Sequence, residues 1–392
     1  MSLSGLAARF RSFLEIRKVL ITGATGFVGS RLCEVLFLTR CVDARVFIHS
    51  TASAARIARF PLDFVVGDLC DRNAVAKAVE GCDAVVHLAR GTTRVMQKGL
   101  RNLLTAASAH RVSRFIHMSS VAVYGNNPPD GSASETEPAH KTDLAYGNAK
   151  LEEEELVFTF SKRFALPVVV LRPPNIYGPY SGFTLGLIDR IRSGKMGLVD
   201  GGKNPCNLVY IDNLIQAILL ALWKSEAVGE VFFVTDAQCI SWQTCVADYA
   251  SLLKIPISSI PSLTRVQPSS RPHIFRDSVR ALPRVFLSGE FRSVIRQVPL
   301  IAMIETNLYE RFQSLSPERQ EEIRQRLNGG SSGTRNNSPS AVDPGDPMIV
   351  AQRRSVVHSS QKAGRLLGYN APISYSEGMR LTECWLRASR RI

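Results

Sequence analysis

The sequence has no uninterrupted run of about 18 apolar residues, the length a membrane-spanning helix needs. Its nearest approach, Asn207 to Leu222, is interrupted by Asp212, Asn213 and Gln216 and reads as a core helix. Nor is there a C-x-x-C pair or a metal-ligand spacing with histidine, although eight cysteines are present, at 33, 41, 70, 82, 206, 239, 245 and 384. They read as reduced, mostly buried small hydrophobes, and no metal site is expected. Lys and Arg outnumber Asp and Glu by 48 to 34, a net charge of +14, yet no dense basic run interleaved with aromatics occurs. Basic residues scattered in this way describe an ordinary surface, and no nucleic-acid partner is expected. Met1 to Lys18 mixes Arg9, Arg11, Glu15 and Arg17 with apolar residues and has no long apolar core. A signal peptide is therefore not expected, and the reading is cytoplasmic. Glycine (27) and proline (20) stand at ordinary usage, which excludes collagen-like and wholly disordered chains. What remains is 392 residues, 45% of them hydrophobic, enough for one large domain or two medium ones around a core.

Apolar runs alternate with helical stretches. Lys18–Thr22, Arg45–His49, Phe64–Val66, Ala84–Leu88, Phe115–Met118 and Val168–Leu171 read as six strands, and Phe27–Leu38 as the first helix. The runs are continuous, as strands buried on both faces are. The pattern predicts an α/β chain with a doubly wound parallel sheet covered on both faces.

Gly23-Ala-Thr25-Gly26-Phe27-Val28-Gly29 joins the first strand to the first helix. Gly23 allows a tight turn, Gly26 lets the backbone approach a pyrophosphate, and Gly29 lets helix and strand pack closely. The helix N-terminus adds free N–H groups and a positive dipole end. The strand–helix junction is where a dinucleotide-binding loop works. An acid at the end of the second strand would bond a ribose 2′-hydroxyl and select NAD. This chain has His49 and Ser50 there, and Asp43 lies before the strand. That favours NADP over NAD. Asp68, after the third strand, is placed to accept from an adenine amine or to cap the next helix.

Ser119-Ser120 ends the fifth strand, and Tyr146 and Lys150 stand four apart, on one face of a helix. A free tyrosine titrates near about 10, too high for an efficient base. A neighbouring ammonium favours tyrosinate. A serine hydroxyl bonds the substrate oxygen and stabilises its developing charge. The three fit proton transfer coupled to hydride transfer at a carbinol carbon.

These segments together resemble the extended short-chain dehydrogenase/reductases, the NAD-dependent epimerases and dehydratases. T-G-A-T-G-F-V-G, G-D-L at 67–69, H-L-A at 87–89, S-S-V-A-V-Y-G at 119–125 and Y-G-N-A-K are similar to its successive motifs, as are L-R-P-P-N-I-Y-G-P at 171–179 and V-Y-I-D-N at 209–213. The segment 362–386 is similar to its C-terminal signature. The resemblance implies Ser120 as the substrate-orienting hydroxyl, Tyr146 as acid/base and Lys150 as its partner. It implies a cofactor site made of Gly23, Thr25, Gly26, Phe27, Val28, Gly29, His49, Ser50, Asp68, Leu69, Leu88, Ala89, Tyr146, Lys150, Pro173 and Asn175, with Ser120, Val121 and Asn175 toward the substrate. A homodimer is expected. The expected boundaries are 18–175 for an NAD(P)-binding Rossmann domain, with 208–235 returning to it. A smaller substrate-binding part takes 176–270 and 348–392. An insertion takes 271–347, of which 328–347 has the composition of a disordered tether.

Departures from the family pattern narrow the chemistry. Met96 and Leu100 hold places usually taken by Asn and Thr, which puts any role of that Asn in doubt. Val121 and Ala122 hold the places of the carboxylates by which sugar 4,6-dehydratases eliminate water, so a dehydratase is not expected. The acidic run Glu152–Glu155 reads as a solvated helix face, and His87 and His117 as core or sheet-end residues. Residues 271–304 carry regularly spaced arginines among apolar residues, which suits either peripheral contact with an anionic membrane or an insertion packed over the site. The expected function is epimerisation or ketone reduction at a secondary hydroxyl of a nucleotide sugar. Two alternatives stay open: an oxidoreductase like the 3β-hydroxysteroid dehydrogenases, acting on a lipophilic alcohol, and a non-catalytic NADP-binding sensor.

Overall fold

A computed structural model describes residues 16–264 and 342–392. The expected basic amphipathic segment, 271–304, and most of the expected tether lie outside the described residues. The tether's last residues, 342–347, lie inside and are ordered: Val342 packs on the core, and Asp346 caps the helix that starts at Pro347. The apolar side chain and the cap outweigh the low-complexity composition there.

Seven parallel strands form the central sheet: β1 (Lys18–Thr22), β2 (Asp43–Ile48), β3 (Asp63–Val66), β4 (Ala84–His87), β5 (Arg114–Met118), β6 (Val168–Arg172) and, after a short parallel pair of β7 (Asn175–Tyr177) with β8 (Leu208–Tyr210), β9 (Val231–Phe233). The order is β9-β6-β5-β4-β1-β2-β3. All six pairings are parallel. The chain winds outward from β1 in one direction, then restarts at β4 in the other. The carboxyl ends of β1 and β4 therefore flank a switch point, where such sheets hold ligands. Asp43 is the first residue of β2 rather than a residue before it, and its pairing with Lys18 puts it at the end of the sheet remote from the glycine loop.

Side-chain alternation along each strand feeds two cores. Val19, Ile21, Val46, Ile48, Val86 and Ile116 face a cluster shared with α1 (Phe27–Thr39). Leu20, Phe47, Val85, Phe115, Val168 and Val170 face the opposite cluster, built from α2 (Arg72–Val79), α3 (Leu100–Ala109) and α4 (Ala145–Phe164). Because both faces are covered, the strands read as continuous apolar runs. The remaining helices are α5 (Gly182–Arg192), α6 (Ile211–Trp223), α7 (Trp242–Leu252), α8 (Pro347–Ala351), α9 (Gln361–Leu367) and α10 (Tyr375–Ala388). The core-helix reading of 207–222 holds, since α6 is buried along most of its length. Among the described residues no helix is long and apolar enough to cross a membrane.

Asp236, just after β9, ties this core together. One carboxylate oxygen accepts from the Tyr210 N–H (2.9 Å) and the Asn213 amide (2.7 Å). Burial pushes its carboxyl up to about 6 against those bonds. The fold therefore keeps a proton that the unfolded chain, titrating near about 3.9, has given up. Ionised Asp236 costs stability above that folded value, and the cost fades as pH falls toward the unfolded value. Asp236→Asn should raise the melting temperature by a few degrees at about pH 8 and leave it near wild type at about pH 4.5. Equal shifts at both pH values in thermal melts would contradict this.

Candidate active site

The glycine loop is folded as its sequence requires. Gly23 has φ +71°, and a Cβ there would lie 2.6 Å from the backbone of Leu88 and Ala89. A Cβ on Gly29 would lie 2.2 Å from the Gly23 carbonyl oxygen. Only glycine lets β1, β4 and α1 meet this closely. Gly26 caps α1 with no side-chain bond, and no acid occupies the first turn. The first N–H groups, over Phe27 and Val28, are thus left for an anion.

At the end of β2, His49 is exposed, and Ser50 accepts from the Ala52 N–H (3.2 Å). Asp68 is exposed and holds the Cys70 N–H (2.8 Å). It does not cap the next helix. Asp71 does, accepting from Asn73 and Ala74, because it stands directly before the first turn. A cavity of about 490 Å³ flanks α1, lined in part by Phe27, Arg31, Arg56, Arg59 and Tyr180. Ser120, Tyr146 and Lys150 do not line it, so it is separate from the gathered hydroxyls.

Those hydroxyls sit where β5, β6 and α4 converge. Ser120 caps the turn Val121–Tyr124: its Oγ accepts from the Ala122 N–H (3.1 Å) and donates weakly to the Pro173 carbonyl (3.4 Å). The Val121 N–H also meets that carbonyl (3.2 Å), so Pro173 holds the turn. Leu144 precedes α4, which places Tyr146 in its first turn, half-buried, with the Arg90 guanidinium 4.7 Å from its ring centroid. Lys150, one turn on, is buried at 4% exposure and donates to the Met118 carbonyl (2.9 Å). Asn175 turns its amide toward the Asn207 carbonyl (3.4 Å). Met96, in the family's Asn place, is buried in a π-turn, Val95–Gly99.

The acidic run is not a solvated face. Glu152 pairs with Lys141 (2.8 Å) near the surface and Glu155 is exposed, but Glu153 and Glu154 are only 2% and 3% exposed. Glu154 accepts from Ser119 and from Arg172 Nε (2.8 Å), and Arg172 also donates to the Tyr124 hydroxyl (2.8 Å). Glu153 takes Lys150 Nζ at 2.7 Å and lies 3.3 Å from His117 Nε2. Burial alone would raise the Glu153 carboxyl, but His117 and the Lys150 charge outweigh it and hold it at about 2. His117 is pushed down by burial, and stacked His87 (centroids 5.7 Å apart) goes down to about 3, by burial and then by His117. His87 Nδ1 meets Thr22 Oγ1 at 2.7 Å. Glu153 finds its counter-charge one turn back, in Lys150, whereas Glu154 takes it from Arg172 of β6, a partner that local periodicity cannot reveal.

Gly147 is a site residue that motif reading passed over. A Cβ there would lie 2.0 Å from the Ala122 carbonyl oxygen, so α4 seats its first turn directly on the Ser120 turn.

A doubly wound sheet with a glycine loop at its switch point defines a dinucleotide-binding fold. The chain belongs to the NAD dependent epimerase/dehydratase family, whose model matches residues 19–234. It is 28% identical over 261 residues to a UDP-glucose 4-epimerase of Vibrio cholerae, covering 62% of this chain and 78% of that protein. It is 31% identical over 248 residues to a dTDP-glucose 4,6-dehydratase of Streptomyces niveus, covering 55% and 72%. It is 29% identical over 230 residues to a 4-hydroxy-2-methyl-3-oxo-4-farnesyl-3,4-dihydroquinoline-1-oxide ketoreductase of Stigmatella aurantiaca, covering 56% and 68%. Among solved structures, a UDP-glucose 4-epimerase from Thermotoga maritima shares the fold, with TM-score 0.64 and 19% identity over 95% of this chain and 99% of that one.

Gly147→Ala should force α4 off the Ser120 turn and reduce turnover by more than about tenfold, because backbone cannot yield as a side-chain tip can. The comparison is with Gly182→Ala, where a Cβ meets nothing within 4 Å. Equal activity in the two variants would contradict this seating.

Proposed function

We propose that the chain is an NAD(P)-dependent oxidoreductase of a secondary hydroxyl, working as an epimerase or ketone reductase on a nucleotide sugar. The observation that carries this is the seating of the first turn of α4, which bears Tyr146, on the turn that Ser120 caps, with Lys150 bonded to the end of β5 in the sheet that also bears the glycine loop. The loop fits a dinucleotide: three close-packed glycines and an uncapped α1 leave room and free donors for a pyrophosphate. Lys150, Pro173 and Asn175 would flank its other end. When bound, the nicotinamide supplies the hydride acceptor or donor at the carbinol carbon.

Ser120 Oγ orients the substrate oxygen. Tyr146 Oη takes that oxygen's proton as the carbinol is oxidised, and returns one when the ketone is reduced. Lys150 places a positive charge beside the tyrosine. The Val121 and Ala122 side chains are buried and apolar, so they offer no carboxylate for loss of water. That supports epimerase or reductase over dehydratase.

Arg354 supports an anionic substrate. It is half-buried, bonds Asn126 (3.2 Å), has an Nε with no partner, and feels Asp143 only through space, which suits a stronger anion. A second reading, reduction of a lipophilic ketone, is favoured by the Stigmatella relative, whose name gives it a farnesylated substrate. The absence of an acid beside His49 and Ser50 supports NADP over NAD.

Tyr146→Phe should bind NADPH as wild type does and lose at least about a hundredfold in turnover of UDP-hexoses. Near-full activity would refute the acid/base assignment. Arg354→Ala should raise the Michaelis constant for a UDP-hexose about tenfold, and an unchanged constant alongside turnover of an uncharged lipophilic alcohol would favour the second reading. In fluorescence titrations NADPH should bind more tightly than NADH, and the reverse order would refute the argument from the end of β2.

A further inference from the structure

Lys150 is a long, flexible side chain whose fixed placement is entropically costly. An ammonium has three donors. Two are spent within the fold, on the Met118 carbonyl (2.9 Å) and on Glu153 Oε2 (2.7 Å). The two anchors come from different elements, β5 and α4, so together they fix both the position of Nζ and the direction of its remaining donor. The same Glu153 Oε2 lies 3.3 Å from His117 Nε2, behind which His87 stacks and Thr22, the last residue of β1, bonds the His87 ring. The chain of contacts runs from Lys150 beneath the sheet edge to the root of the glycine loop.

Packing alone does not account for an acid here. A position on α4 that faced only the core would be served as well or better by an apolar side chain, because buried ion pairs are rarely stabilising relative to such replacements. Glu153 also leaves Oε1, and His117 leaves both ring nitrogens, without a hydrogen-bond partner. That is an expense with no return in stability.

We propose that Glu153 is a positioning residue, which fixes Lys150 with its third donor turned toward the nicotinamide end of the cofactor. The proposal rests on the oxidoreductase reading for the cofactor and goes beyond it in assigning Glu153. The charged and titratable groups that interact with this ammonium are Glu153 on α4, His117 on β5 and His87 on β4, with Glu154 acting on His117 through space.

The test is a double-mutant cycle read by NADPH binding to the full chain. Glu153→Gln should weaken NADPH about tenfold, the scale of a charged hydrogen bond. It should leave 2′,5′-ADP, which lacks the nicotinamide half, bound as in wild type. Lys150→Met should give a similar loss, and the double variant should lose no more than Lys150→Met alone. Glu153→Asp, which keeps the charge on a shorter arm, should recover part of the affinity. It also replaces Glu153→Gln in the cycle if the amide fails to fold. Additive losses, or equal weakening of NADPH and 2′,5′-ADP, would overturn the proposal, since a general loosening of the fold predicts both. A ligand-free readout keeps this separate from the cofactor reading. In lysine side-chain ¹⁵N spectra, the Lys150 ammonium, assigned by its loss in Lys150→Met, should give a slowly exchanging signal that vanishes in Glu153→Gln and survives in Glu153→Asp. Persistence in Glu153→Gln would overturn the proposal. If wild type binds neither NADPH nor NADH, the cofactor reading fails, and this spectrum alone decides whether Glu153 fixes Lys150.

Discussion

Glu153 and Glu154 lie side by side on α4 with almost no access to water, and neither could stay ionised there alone. Removing a carboxylate from water costs several kcal/mol even after relaxation. Each is held by partners close around it: Glu153 by Lys150, one turn back on α4, with His117 of β5 beside it, and Glu154 by Arg172 of β6 and Ser119 after β5. These bonds join α4 to β5 and β6 at their carboxyl ends. Breaking either pair would leave an uncompensated charge, a loss of about 3–5 kcal/mol. Helix, strands and the Ser120 turn are therefore fixed as one unit.

That unit sits beside a second constraint, the contact of Gly23 and Gly29 with neighbouring backbone. Close packing at the glycines holds the start of α1 against the ends of β1 and β4. The uncapped start of α1 and the turns bearing Ser120, Tyr146 and Lys150 thus lie along one edge of the sheet, set by strand order. Reactive groups held by packed elements keep their geometry without reorganising at each turnover.

The sheet was legible in the sequence because its strands are continuous apolar runs, and six were found within two residues of their observed ends. The seventh, β9, was foreseen only as a returning segment. Three residues, Val231–Phe233, are too short for any periodic signal. The glycine loop and the Tyr-x-x-x-Lys spacing were legible because backbone clearance and helical pitch act locally. Glu153, Glu154 and Asp71 were misjudged or missed for the opposite reason. A run of acids looks solvated until Arg172 and His117 are brought to it, and two aspartates three apart compete for one cap. Gly147 hides inside a motif known for its neighbours, and only the carbonyl of Ala122 shows why it must be glycine.

In the proposed mechanism a dinucleotide bound to the glycine loop presents its nicotinamide to Tyr146. A crystal structure with NADPH tests it most directly. The pyrophosphate should lie on the N–H groups of Phe27 and Val28 and the nicotinamide ribose within hydrogen-bond reach of Lys150, with the Lys150 contacts to Glu153 and Met118 intact. A dinucleotide whose nicotinamide lies away from Tyr146, or whose phosphates occupy the cavity lined by Arg56 and Arg59 in place of the glycine loop, would contradict it.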